Sequence, residues 1–252
     1  VRLGPLLLIA LLAACSKEGE TTSTPNDSDA DGGHEHGNKH AHHGGHAHGD
    51  KTMHGGPMHH RFENAEEWAK AFDDPSRDEW QKPDAVIELL GLAPDTRVAD
   101  IGAGTGYFTM RFAKAVPDGK VLASDIEPDM VRYLGERATQ ESLTNVVPVK
   151  GEPNDPKLPE AVDVVFMCNT YHHVADRTAY FSTVAGYLGE SGRVVVVDFK
   201  PDAPDDAPGP PKKHRVAPSQ VSEELGAAGF EHVETNSDLL PYQYVSVFKR
   251  AG

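Results

Sequence analysis

The sequence predicts an α/β fold: a seven-stranded, mostly parallel sheet with an antiparallel pair of strands at its C-terminal end. Three observations carry that expectation. Residues 98–109 read as strand, glycine turn and helix. From there to residue 199, short β-branched apolar runs alternate with helical periodicity, the pattern of parallel strands joined by right-handed crossovers. Two further runs, near 230–236 and 243–249, then follow as an antiparallel pair.

The glycine turn organises the rest. Gly102, Gly104 and Gly106 stand at alternate positions, where a sharp reversal needs residues that tolerate positive φ and a ligand can lie against bare backbone. The helix beyond them, expected over 106–116, aims its free N–H groups back at the turn. The dinucleotide fingerprint would put its third glycine where Tyr107 stands. Asp100, two residues before the first glycine, would repel a pyrophosphate and suits an ammonium group. The next strand, 120–125, ends at Asp125, placed to accept hydrogen bonds from ribose hydroxyls. Such charge-assisted bonds are worth roughly 1.5–3 kcal/mol each. An amino acid joined to a nucleoside without phosphate fits both acids, which describes S-adenosylmethionine. The run Asp100-Ile-Gly-Ala-Gly-Thr-Gly106, with Asp125 after the second strand, resembles the class I S-adenosylmethionine-dependent methyltransferases over roughly 61–250. The resemblance implies a Rossmann-like fold, with Ile126 and Glu152 at the adenine and Asn169 at the methionyl end. Glu152 departs from the family's usual Asp, and Pro153 follows it where an N–H donor is more common.

The remaining elements fall around this centre. A helix is expected over 61–73, anchored by Phe62, Trp68 and Phe72. A second starts at Pro75, with Val86, Ile87, Leu89 and Leu90 on its buried side and Pro83 as a break or kink. In the resembling enzymes such leading helices close over the ligands, which makes Asn64, Arg77 and Trp80 lid candidates; the aromatics read also as core. A helix over 128–139 and a strand over 145–149 follow. The apolar strand 162–167 runs into Cys168, Asn169, Thr170, Tyr171, His172 and His173. Open sheets bind ligands at the carboxyl ends of their strands, so Tyr171, His172 and His173 are the candidates to meet the methyl acceptor. A histidine there could take a proton from an acceptor oxygen or nitrogen, or could cap the next helix. Helix 177–188 and strand 192–199 lead to a Pro- and Asp-rich loop, 200–216, in which Lys212, Lys213, His214 and Arg215 either steer an anionic acceptor or balance Asp202, Asp205 and Asp206. A helix over 219–228 precedes the final strands.

The N-terminal residues have another character. Residues 1–15 carry one Arg, a short apolar run and small residues before Cys15, the pattern of a signal peptide. Leu12, Ala13, Ala14 and Cys15 resemble the lipobox of bacterial lipoproteins, in which the Cys is lipidated. The expectation is a lipid-anchored cell-envelope protein, with Ser16 favouring the outer membrane; a start at Met53 or Met58 would make it cytoplasmic. Residues 16–60 lack large apolar side chains and read as a disordered tether. Ten of the fourteen histidines lie between His34 and His60. Of these, His34, His36, His40, His42, His43, His46 and His48 are candidate ligands for transition-metal ions such as Zn, Ni and Cu. Residues 61–252 are expected to form one domain, which the resemblance makes a class I methyltransferase domain.

A net charge of -15 argues against nucleic acid as a partner. With Cys15 as the lipid site, Cys168 has no disulfide partner. The expected activity is methyl transfer from S-adenosylmethionine to a small-molecule acceptor. The alternative is a non-enzymatic, membrane-anchored envelope protein with a ligand-binding domain and a metal-buffering His tract, because a periplasmic protein would meet little of that cofactor.

Overall fold

The structure, a computed structural model, describes residues 62–252. The signal segment with Cys15, the tether and the histidines between 34 and 60 lie outside the described residues.

Seven strands form one sheet: β1 (Arg97–Ile101), β2 (Lys120–Asp125), β3 (Val146–Lys150), β4 (Val162–Cys168), β5 (Leu188–Phe199), β6 (Phe230–Asn236) and β7 (Gln243–Arg250). Their order is β3-β2-β1-β4-β5-β7-β6. The first five are parallel, and β7 lies antiparallel between β5 and β6. The parallel strands are apolar on both faces because helices cover both. Val98, Phe166, Val195 and Val245 face one cluster with Val86, Phe112 and Leu134. Their neighbours Ala99, Val165, Met167, Val194 and Val196 face the other, with Phe181, Val184, Val221 and Leu225. That period of two is the pleat made visible in burial.

The helices are α1 (Ala65–Phe72), α2 (Arg77–Gln81), α3 (Pro83–Leu90), α4 (Thr109–Ala115), α5 (Pro128–Gln140), α6 (Arg177–Val184) and α7 (Pro218–Ala227). Four boundaries differ from the sequence expectation by more than one residue; α1 begins at Ala65 rather than at 61. The helix expected to start at Pro75 is two helices, because Lys82 turns to a φ of 42° and Pro83 opens α3 at a position that needs no N–H donor. The helix after the glycine turn starts at Thr109 rather than 106, since the intervening residues complete the turn. Residues expected to continue α6 tighten into a 3-10 turn at Ala185–Tyr187, so β5 begins at Leu188, four residues early. The loop 200–216 is pinned from within: the Arg215 guanidinium donates to the carbonyls of Pro210 and Ala203, each at 2.9 Å. Lys212 pairs with Asp205 at 3.0 Å, so at that residue the basic patch balances its acidic neighbours.

Sheet order reverses beside β1: β2 follows it on one side and β4 on the other. The crevice at the carboxyl ends of β1 and β4 is the topological switch point, where open sheets take ligands.

Candidate active site

β1 delivers Asp100 and the turn to this crevice. Gly102 and Gly104 have φ of 71° and 56°, conformations costly for any residue with a Cβ. A Cβ on Gly102 would also collide with the side chain of Thr170, and one on Gly104 would lie 3.6 Å from the Phe72 ring. The turn is thus lined by the segment after β4 on one side and by α1 on the other.

Asp100 is 3% exposed, and its Oδ2 accepts from the Thr109 hydroxyl at 2.6 Å. Burial pushes its carboxyl up to about 7; the Thr109 bond opposes this and the nearby Asp125 adds to it. Asp125 Oδ2 accepts from the Gly104 N–H at 2.8 Å and Oδ1 from the Glu127 N–H at 2.9 Å. A carboxylate offers about four acceptor positions, so both oxygens retain capacity for hydroxyl donors. Burial raises Asp125 as well, against the pull of those backbone bonds. Ile126, next in the chain, is 49% exposed, an apolar side chain left for a flat partner. Glu152 is 56% exposed at its side chain, and its carboxylate meets Lys157 at 3.2 Å.

The segment after β4 contributes the other candidates. Asn169 holds a φ of 57°, which Asn tolerates better than most residues. Its Oδ1 accepts from Gln243, and its Nδ2 reaches Gln81 at 3.4 Å. Gln81 also donates to Gln243 and to the Cys168 sulfur, and accepts from Arg77 Nε at 2.8 Å. Both glutamines are fully buried. This amide ring ties α2 to the ends of β4 and β7. Burial pushes the Cys168 thiol up; the Asp198 and Asp100 carboxylates act in the same direction, against Arg77.

Of the three candidates to meet the acceptor, Tyr171 is a core residue. It is fully buried, its hydroxyl donates to Glu224 at 2.5 Å, and its ring packs on Phe181 and under Arg177. That corrects the expectation that it stands with the histidines. His172 turns the other way: its Nδ1 lies 3.0 Å from both oxygens of Asp198, and its peptide N–H donates to Oδ2 at 3.2 Å. His173 lies against it, with ring centroids 4.2 Å apart.

The lid candidates divide. Arg77 stacks on the Tyr107 ring at 3.9 Å, beside Arg111 at 4.2 Å, and the Tyr107 hydroxyl donates to Asp78. Trp80 packs on Phe199 and Tyr242. Asn64 caps α1, its side chain accepting from Glu67 N at 3.4 Å. Arg137 on α5 completes the closure, bridging Asp73 and the Thr105 carbonyl at 2.9 Å each. Sequence reasoning missed Asp198, Gln81, Gln243 and Arg137. Only Asp198 had left a mark, as a charge directly after four valines in an apolar strand.

Residues 99–194, from β1 into β5, match the model of a methyltransferase domain. Over these residues the chain is similar to methyltransferase domains. The chain is 32% identical over 123 residues to the ubiquinone/menaquinone biosynthesis C-methyltransferase UbiE of Ectopseudomonas mendocina, covering 47% of this chain and 48% of that one. It is 31% identical over 156 residues to the arsenite methyltransferase of Halobacterium salinarum, covering 58% and 40% respectively. The chain thus spans about half or less of the length of these curated relatives. Among solved structures, it is similar to a SAM-dependent methyltransferase from Aquifex aeolicus, with a TM-score of 0.66 and 28% identity, over 72% of this chain and 96% of that one. The seven-stranded sheet with its terminal antiparallel pair is the Rossmann-like methyltransferase fold.

The residues of this crevice fit S-adenosylmethionine. Asp100 is a buried acid whose direct side-chain partner is a hydroxyl, so an ammonium group would restore its ordinary ionisation. Thr105 Oγ1, in the middle of the turn, is the one buried side-chain polar atom among the described residues without a hydrogen-bond partner. An orphaned hydroxyl beside bare glycine backbone suits a ligand with polar atoms.

Proposed function

We propose that this protein transfers a methyl group from S-adenosylmethionine to a small-molecule acceptor. The observation that carries the reading is Asp100, a buried acid raised to about 7 at the mouth of a glycine turn. The relatives' names, a ubiquinone/menaquinone biosynthesis C-methyltransferase and an arsenite methyltransferase, agree with a small acceptor. The net charge of -15 supports no nucleic-acid acceptor.

In this reading Asp100 and the turn glycines 102, 104 and 106 hold the methionyl part, with Asn169 at its edge. Asp125 accepts from the ribose hydroxyls. Ile126 covers the adenine ring, and Glu152 lies at its rim. Bound S-adenosylmethionine supplies a methyl group already activated by its sulfonium. The chain's task is then positioning, and holding the acceptor in line supplies most of the acceleration. His172 and His173 face the acceptor.

The N-terminal residues add two proposals supported by sequence alone. Cys15 anchors the protein in the cell envelope through lipid, the outer membrane being favoured by Ser16. The His tract binds transition-metal ions with neutral imidazoles.

Calorimetric titration of the full chain tests the central claim. S-adenosylmethionine and its demethylated product should bind at micromolar levels and NAD far more weakly, and Asp125→Ala should cost about 1.5–3 kcal/mol of binding. Tight NAD binding with no response to S-adenosylmethionine would overturn it.

A further inference from the structure

An acceptor hydroxyl must lose its proton during methyl transfer, and two independent features of the crevice bear on where that proton goes. The first is the pair His172–Asp198. Asp198 is fully buried on β5, and both of its oxygens lie 3.0 Å from His172 Nδ1. It also accepts the peptide N–H groups of His172 and Phe199, at 3.2 and 2.8 Å, so its orientation is held from three directions. A carboxylate only accepts, so Nδ1 carries a proton, and in the neutral imidazole the lone pair is then on Nε2. The second is an aromatic wall of partly exposed rings. Phe62 meets His173 edge-on at 6.1 Å and Phe72 at 5.9 Å, and Trp68 packs against both phenylalanines. Phe72 in turn reaches the surface of Gly104. The wall therefore runs from the glycine turn to the histidine pair, a lining suited to a flat ring.

We propose that the acceptor is a phenol, that His172 Nε2 takes its hydroxyl proton, and that Asp198 is the positioning residue that sets the tautomer. The inference rests on the methyl-transfer reading above. A phenol near pKa 10 is within reach of an imidazole near 6.5, as an aliphatic alcohol is not. In the step, the acceptor oxygen forms a bond to the methyl carbon. The methyl–sulfur bond breaks and its electron pair stays on sulfur. The hydroxyl proton passes to Nε2, and Asp198 stabilises the imidazolium until solvent removes the proton.

The first measurement is the tautomer, read on full-length protein by long-range 15N–1H NMR, with His172→Gln to assign the signals. Wild-type His172 should carry its proton on Nδ1, and Asp198→Asn should move it towards Nε2. An Nε2-protonated wild-type His172 overturns the proposal. The second is methyl transfer to catechol, 4-hydroxybenzoate and dithiothreitol. The phenols should be methylated. His172→Gln should lower kcat on them about a hundredfold and Asp198→Asn to a comparable extent, with KM for S-adenosylmethionine unchanged. Transfer to dithiothreitol alone, no transfer to either phenol, or wild-type kcat in His172→Gln would overturn it. Calorimetry separates the two readings. Failure to bind S-adenosylmethionine defeats the methyl-transfer reading, whereas binding with the wrong tautomer defeats this inference alone.

Discussion

Asp100 in the free protein is protonated at pH values where the unfolded chain has lost that proton. Folding therefore takes up a proton between the ordinary 3.8 and about 7, so stability falls as pH rises through that window. An ammonium ligand needs the ionised form, so binding below about 7 releases a proton. Affinity for S-adenosylmethionine should then weaken by about tenfold per pH unit below 7. Asp100→Asn should melt higher than wild type at pH 8 without ligand while binding the cofactor much more weakly. Titrations in two buffers of different ionisation enthalpy measure the proton; no release at pH 6 would refute this account. Gly102 gives a second test at the same scale. Gly102→Ala must hold a φ of 71° and push Thr170 aside, which should cost about 1–3 kcal/mol by denaturant midpoint. Adding Thr170→Ala should recover the part due to the collision, because the two residues touch.

The leading helices owe their place to polar contacts as much as to apolar ones. α2 is attached through Arg77 on Tyr107, Asp78 to Arg111 at 3.0 Å, and Gln81 in the buried amide ring. α1 is attached through Phe72 at the glycine turn and Asp73 to Arg137. Gln81→Ala removes the donor to the buried Gln243 carbonyl and the acceptor of Arg77, leaving polar groups unpaired at a cost of about 1–3 kcal/mol. Amides over 65–81 should exchange faster in that variant, while those of β1, β4 and β5 keep their protection. Exchange unchanged over 65–81 would show that the ring does not hold α2. Helix breaks here were legible where proline marked them, as at Pro83. The amide ring was not, because Gln81, Asn169 and Gln243 are ordinary polar residues until the chain brings them together.

Deleting residues 34–60 should remove most Ni, Cu and Zn binding and leave melting temperature and cofactor affinity unchanged. Metal binding by the full chain should weaken as pH falls through about 6.5, since protonated imidazole cannot ligate. Loss of folding or cofactor binding in the deletion would move the domain boundary upstream of residue 61. Cys15→Ala should shift the protein out of the membrane fraction or leave it unprocessed; a wholly soluble native protein would contradict the anchor.

Strand positions, apart from the early start of β5, and the sheet class are local properties, and the sequence by itself determined them. A buried parallel strand must be apolar, a tight turn must be glycine, and an acid two residues before it is visible at sight. The surroundings of the residues after β4 were decided only by tertiary structure. Asn169, Tyr171, His172 and His173 are close neighbours in the chain. Yet a single 3-10 turn sends Tyr171 into the core beside Glu224, turns His172 to Asp198 and lays His173 against Phe62. Asp198 lies 26 residues from His172 in the chain, and β5 places it there by pairing with β4. Which polar side chains meet across the ends of a sheet depends on strand order and register. Neither is written in the spacing of any one segment.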